Sequence, residues 1–359
     1  MTNIVVRASR PPVSLRLSPR SLGVGVILVL ACVALVVVAL SIGSTEVMDP
    51  ARVLRALFGD PEADDAFAVR ELRLPRVLAG LIVGCALGMS GALFQGVTRN
   101  GLVAPDIIGV TTGASFAALV VIVLGTQVRG AGDSLEVPLS AIGPAALVGA
   151  FGAAILVYAL AYRRGLSPYR LVLVGIGVTS VLSAGIAYAL TLTRFAFATQ
   201  LAFRWTVGSM YGTDWTEVMP ALVVFVLLVV VTLTMLRPLP ALALGDDTAT
   251  GLGSRVEADR LRLLAVGVCL AALSVALAGP VAFVAFMAPH LARGLLRAPG
   301  ISVVAIAGLA GAALIVGSDL IAQRVLPGTE LPLGAVTALI GAPYFLFLLY
   351  RTNRQGVAG

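Results

Sequence analysis

The 359-residue sequence contains no lysine; all 25 of its basic residues are arginine. A phosphate-cradling P-loop needs a lysine to reach the β- and γ-phosphates, so a nucleotide-hydrolysing loop of that kind is excluded. Schiff-base chemistry is excluded on the same ground. Histidine occurs once, at His290, too few for a histidine-built metal site. The three cysteines, Cys32, Cys85 and Cys269, lie far apart in apolar runs, with neither disulfide nor zinc spacing. Charge is also scarce: 12% of residues are charged and 59% hydrophobic, whereas a soluble domain carries about 25% charged residues. The surplus apolar surface must face lipid, and the mean hydropathy of +1.01 agrees. A net charge of +7 would suit a nucleic-acid partner, but the arginines sit at helix ends, where membrane topology accounts for them; no nucleic acid is expected.

What is present is a series of long apolar runs. Crossing about 30 Å of hydrocarbon takes about 20 residues of helix. Runs of this kind occupy residues 22–42, 74–95, 106–124, 139–162, 170–192, 218–236, 262–279, 281–296, 301–321 and 333–350. They are continuous rather than alternating, which favours helices over a barrel. The expected fold is all-α, a polytopic bundle of about ten transmembrane helices. An even number of spans puts both ends on one side. Arg7, Arg10, Arg16, Arg20, Arg351 and Arg354 mark those ends, and Arg99, Arg163, Arg164, Arg170, Arg237, Arg255, Arg260, Arg262, Arg293 and Arg297 fall in the loops of that same side. The bias makes both termini cytoplasmic. Acids lean outward, with Glu46, Asp49, Asp60, Glu62, Asp64 and Asp65 in the first external loop. The first run is too long for a signal-peptide core and is read as a retained span. The chain then divides into a cytoplasmic tail (1–21), one transmembrane domain (22–350) and a second cytoplasmic tail (351–359). Two connections exceed simple turns, an external one over 43–73 and a cytoplasmic one over 237–261.

Several polar groups stand out. In the cytoplasmic connection, Gly245, Asp246, Asp247, Leu252 and Gly253 frame a short helix. The acids suit its N-terminus and Gly253 suits a left-handed C-terminal cap. Such a helix is either a docking knob for a soluble partner or an ordinary capped turn. At the external start of the second span, Arg73 and Arg76 share a face across Pro75. They either meet an acidic partner or snorkel to headgroups and pair with Glu71. Gly80, Gly84 and Gly88 form a small-residue stripe for close helix packing. Gln95 either lines a pathway or bonds between helices. Pro105-Asp106 is read as starting the third span, and Thr111 to Ser115 as a pore or a helix contact. Gly279-Pro280 breaks the chain, and Pro289 and His290 interrupt a short span, a pattern common in transport pathways, though a structural histidine is the blander account. Asp319 and Arg324 flank the outer end of the ninth span, ahead of Glu330, as a salt bridge or a docking surface.

Together, Arg73-Leu74-Pro75-Arg76, Ser90-Gly91 with Gln95, Arg99-Asn100 with Pro105, the Leu244-to-Gly253 loop, Gly279 through Pro289-His290 and Arg293, and Asp319, Arg324 and Glu330-Leu331-Pro332 resemble the iron-siderophore and cobalamin permease family of ABC importers, over residues 22–350. The resemblance implies two such ten-helix subunits around a central pathway, a hetero pair being favoured. Two ATP-binding subunits would dock at Gly245 to Gly253 and carry the ATP and magnesium, with no cofactor or metal in this chain. An extracytoplasmic binding protein would dock on Arg73, Arg76 and Arg324. Pro105 to Gly109 followed by Thr111 to Ala114 looks most like the ferric-siderophore members, so a ferric siderophore is the expected cargo and cobalamin or haem the alternative. The place would be the cytoplasmic (inner) cell membrane. Gly101 departs from the family's usual proline, Thr250-Gly251 from a more helix-favouring pair, and Ala285-Phe286 from Gly-Leu.

Two other classes compete. A secondary transporter driven by an ion gradient would bury acids in mid-membrane, but only Asp106 and Asp319 fall within the spans, both near ends. A membrane enzyme would need a nucleophile–base pair or a metal cluster, and the sequence shows no such pattern.

Overall fold

In lipid each backbone N–H and C=O must be satisfied within its own segment, and the long uncharged runs accordingly become helices. The computed structural model describes residues 4–9, 12–17, 19–42, 47–59, 64–127, 139–163, 165, 167–193, 196–296, 301–326 and 330–356. Arg10, Glu46, Asp60, Glu62, Arg164 and Arg297 of the topology reading lie outside the described residues. Ahead of the bundle, β1 (Ile4–Ser9) pairs antiparallel with β2 (Pro12–Leu17), within the stretch read as a tail.

The helices are α1 (Pro19–Ser41), α2 (Pro50–Phe58), α3 (Asp64–Phe67), α4 (Leu74–Thr98), α5 (Val110–Gln127), α6 (Leu139–Ala161), α7 (Pro168–Thr191), α8 (Ala196–Val207), α9 (Trp215–Met235), α10 (Leu239–Ala243), α11 (Asp246–Gly251), α12 (Val256–Ala278), α13 (Val284–Leu296), α14 (Ser302–Arg324) and α15 (Leu333–Gly356). Among the described residues eight helices are long and apolar enough to cross a membrane, and shorter apolar helices over Val110–Gly125 and Val284–Leu296 coincide with the other two expected runs.

Three expectations change in detail. The external connection over 43–73 is not simply a loop. It holds α2, and a π-turn (Ala68–Arg73) joins α3 to α4 without a break in the helical run. The reason is an interlocked set of polar contacts. Arg52 grips Asp65 with two bonds of 2.9 Å. Arg70 donates to the Ala56 and Gly59 carbonyls, and the Trp215 indole N–H donates to the Arg70 carbonyl. The third span does not start at Asp106. Pro105–Ile108 is a 3-10 turn, and Gly109, at φ +77°, breaks the chain before α5 begins. The eighth begins at Val284, because Gly279 (φ +69°) and Phe283 (φ +64°) keep the preceding residues out of a helix.

α4 is the axis of the molecule. Its most apolar window is 83% buried within the chain, against 6% for α1. It packs on α12, α13 and α14, and its small residues permit the approach: a Cβ on Gly84 would collide with the Gly311 carbonyl, one on Gly88 with that of Ala307 and one on Gly91 with that of Ala285. The stripe is therefore a helix–helix seam. Ser90 and Ser274 hydroxyls tie α4 to α12 by donating to the Gly267 and Val83 carbonyls. Gly113 on α5 meets Gly149 on α6 in the same backbone-to-backbone manner, and Ser115 is buried, which makes this polar run a helix contact.

Candidate functional site

The polar residues singled out by sequence gather at the two ends of α4. With 25 residues at about 1.5 Å each, this helix spans about 37 Å. The end carrying Arg76 is the one the arginine bias places outside.

At the outer end Arg76 is clamped. Its Nε and Nη2 donate to the two carboxylate oxygens of Asp319 at 2.9 Å each, and its Nη1 donates to Glu330 at 2.9 Å. The side chains are mostly hidden, with 16% of Arg76 and 8% of Asp319 exposed. Bidentate geometry makes this the strong form of a charged hydrogen bond, and it locks the start of α4 to the end of α14 and to the segment before α15. Gln323 donates a further bond to Asp319. The expected outer salt bridge therefore exists, but its base is Arg76. Arg73 is half-buried and donates to the Leu40 and Ser41 carbonyls at the end of α1. Arg324, in the last turn of α14, is exposed. The two arginines of the expected common face thus hold different neighbours.

At the inner end α4 finishes in Arg99, a left-handed cap residue at φ +54°. Asn100 closes the following turn by accepting from the Leu102 N–H. Arg99 reaches Asp246 at 3.0 Å, and Arg260 on α12 holds both oxygens of the same carboxylate at 2.9 and 3.0 Å. Arg260 is 7% exposed and Asp246 46%, so a buried cation anchors a surface acid. The expected short helix is present as α11, beginning at Asp246. Gly245 (φ +115°) precedes it and Gly253 (φ +85°) ends it. The Ser254 N–H reaches the Ala249 carbonyl and the Gly253 N–H the Thr250 carbonyl, the paired bonds of a Schellman cap. Thr250 and Gly251 stay helical despite their propensities, held by that cap and by buried Ala249. Leu244 and Leu252 stand exposed on either side, and Asp247 is exposed on the first turn.

A third cluster lies near the same inner end, one turn before Arg99, and joins α4 to α13. Buried Gln95 donates to the Phe286 carbonyl at 3.3 Å and accepts from the Arg293 guanidinium. Arg293 also donates to His290 Nδ1 at 3.2 Å, which leaves the ring proton on Nε2. Pro289 is accommodated inside α13 rather than ending it. A Cβ at position 101 would stand 3.0 Å from the His290 ring, a physical reason for glycine there. Sequence reasoning named Gln95 and His290 but missed their link through Arg293, and missed Arg260 as the partner of Asp246. The available signal for Arg260 was a charge on the face of α12 that its apolar neighbours bury.

Among the described residues no group of His, Cys, Asp and Glu could hold a metal ion. The geometry is that of an apolar bundle with an ion cluster at each end of its buried helix α4.

Comparison with known proteins points the same way. The profile of the FecCD transport family matches residues 29–351. The ferric enterobactin transport system permease protein FepG of Escherichia coli is 37% identical over 92% of this chain and 96% of its own length. The iron(3+)-hydroxamate import system permease protein FhuG of Bacillus subtilis is 36% identical over 88% and 93%. The achromobactin transport system permease protein CbrC of Dickeya dadantii is 39% identical over 90% and 89%. Among solved structures, a chain described as an inward-facing conformation of a metal-chelate type ABC transporter superposes with a TM-score of 0.76 at 28% identity, covering 92% of this chain and 99% of that one.

Proposed function

The chain belongs to the FecCD transport family of multi-pass membrane permeases, and from that premise we propose that it is the membrane-spanning subunit of an ATP-driven importer of ferric siderophores. The observation that carries the coupling half of this reading is α11: a short capped helix, pinned to α4 and α12 by Arg99 and Arg260 through Asp246, and flanked by exposed Leu244 and Leu252. Exposed apolar side chains set among polar ones suit a protein-docking face. Two ATP-binding subunits seat against it, and the ATP and magnesium reside on them. A delivery protein docks at the opposite end, over Arg73, Arg76 and Arg324. There Arg76 acts from within its ion cluster, fixing the heads of α4 and α14 beneath the docking face. A second, non-identical permease completes a pathway whose subunits each contribute ten spans, with both termini in the cytoplasm. The ferric siderophore as cargo is supported by the ferric enterobactin and iron(3+)-hydroxamate for which FepG and FhuG are named.

The experiment is uptake of iron-55 chelates by cells lacking this chain and complemented with it. A ferric tris-catecholate, a ferric hydroxamate and ferric citrate form the panel, with labelled cobalamin as the contrast. Restored uptake of at least one ferric chelate and none of cobalamin is expected; restoration of cobalamin uptake alone rejects the cargo assignment.

A further inference from the structure

At the outer end a cavity of about 400 Å³ opens between α8, the 208–214 segment and the tips of α6, α9 and α12. That lies within the size range of small-molecule sites. Its floor is apolar, from Leu201, Ala276 and Leu277, and its rim is polar. Two features distinguish it from an ordinary surface dent.

The first is charge. Arg204 lines the cavity with its guanidinium stacked 4.6 Å above the Tyr211 ring. Stacking orients the planar fork and leaves its N–H edge to donate. Among the described residues that edge has no carboxylate within ion-pair reach and no hydrogen bond to protein, unlike Arg76 and Arg260. Glu217 lines the same cavity, and Trp205 and Gln200 complete the rim.

The second is rigidity. The walls are fixed before any ligand arrives. The Ser209 N–H donates to the Ala278 carbonyl at 2.8 Å and the Thr213 hydroxyl to that of Met210 at 3.0 Å. Gly208, at φ +79°, sits so close to Pro280 that a Cβ would strike its carbonyl, and Gly334 meets Val207 in the same way. Preformed walls reduce the ordering cost of binding.

We infer that this cavity is an outer receiving site for an anionic, oxygen-rich metal chelate, in which Arg204 pairs with the chelate's anionic oxygens, Trp205 and Tyr211 lie along its flat groups, and Glu217 accepts from its amide N–H. Concave shape, aromatic rim and an unpaired cation together fit a small ligand better than a protein side chain. The inference rests on the permease reading and adds a residence point that the reading does not require.

The test uses tryptophan fluorescence. The chain has two tryptophans, and only Trp205 lines the cavity. In the full-length chain with Trp215→Phe, in lipid nanodiscs, ferric enterobactin (an anionic tris-catecholate) and a neutral ferric trihydroxamate are titrated while Trp205 emission is recorded. The expected result is saturable quenching by the anionic chelate, with Kd raised at least tenfold by Arg204→Gln and less than twofold for the neutral one. Arg204→Lys, which keeps the charge without the planar fork, falls between. Absence of saturable quenching, or equal affinities in wild type and Arg204→Gln, overturns the inference. So does loss of delivery-protein binding in Arg204→Gln with chelate quenching intact, which makes the cavity a protein-docking site. Uptake of the same chelates by the assembled transporter is measured in parallel. Uptake without quenching removes the cavity and leaves the permease reading standing, whereas failure of all uptake removes the permease reading.

Discussion

Arg76 and Asp319, 243 positions apart, face each other with two parallel hydrogen bonds of 2.9 Å. Glu330 takes a third donor of the same guanidinium. This is the most enclosed ion cluster among the described residues, and it makes α4 and α14 one unit at their outer ends. Removing Arg76 leaves two carboxylates without their cation, a loss of about 3–5 kcal/mol where such a pair is buried. Arg76→Leu is therefore expected to lower the thermal midpoint of the purified protein sharply, and Asp319→Leu, which leaves Arg76 paired with Glu330, to lower it less. The triple substitution Arg76→Leu, Asp319→Leu and Glu330→Leu should recover much of the loss, since no charge of the cluster is then stranded. Differential scanning fluorimetry in one detergent reads all three.

The glycine seam gives a steric prediction. Gly84→Leu or Gly88→Leu drives a side chain into the backbone of α14, and a helix interface of this kind has no slack to absorb it. Both variants should lose the monodisperse peak in size-exclusion chromatography. Gly177→Ala, on α7 with nothing within 4 Å of the added carbon, should behave as wild type in the same assay.

At the inner end, the position of α11 depends on Asp246. Asp246→Ala frees the short helix from its ion pairs with Arg99 and Arg260. Chelate-stimulated ATPase activity of the assembled transporter should fall by an order of magnitude or more, with basal ATPase activity retained. Gly253→Ala should give a milder form of the same defect. It forces an alanine to φ +85°, which costs about 1–2 kcal/mol, without touching the ion pairs.

The cap of α9 carries a pH dependence. Asp214 accepts from the Thr216 hydroxyl and from the N–H groups of Thr216 and Glu217. The hydroxyl bond leads in holding its carboxyl below the ordinary range. A depressed pKa contributes stability above the unfolded value of about 3.9, and that contribution is lost as pH falls through the folded value. Asp214→Ala should cost about 1 kcal/mol, the same from pH 5 to pH 8. The gap between variant and wild type should narrow only below about pH 4. Thermal midpoints across a pH series check this.

The apolar runs were legible because lipid imposes length and hydropathy on each span independently of its neighbours. Gly253 was legible because a left-handed cap excludes side chains, and Asp246 because acids favour a helix start. The partner of Arg76 was not. Asp319 and Glu330 meet it only through the packing of α4 on α14, which no local pattern encodes. The same holds for Arg260 with Asp246 and Arg293 with Gln95. Helices α2 and α8 were missed because they are short and carry arginines that interrupt the apolar signal. The start of α5 was misplaced because Pro105-Asp106 is a good helix opening locally, and Gly109 stops it.

The central claim is that this bundle moves its cargo with work done by partner subunits. The most direct measurement is chelate uptake into proteoliposomes holding this chain, its permease partner and the ATP-binding subunits, with the delivery protein outside or inside according to orientation. The account predicts uptake that requires ATP on the side of the ATP-binding subunits, stops when they are omitted, and ignores an imposed proton or sodium gradient. Uptake by the permease pair alone, driven by such a gradient, would contradict it.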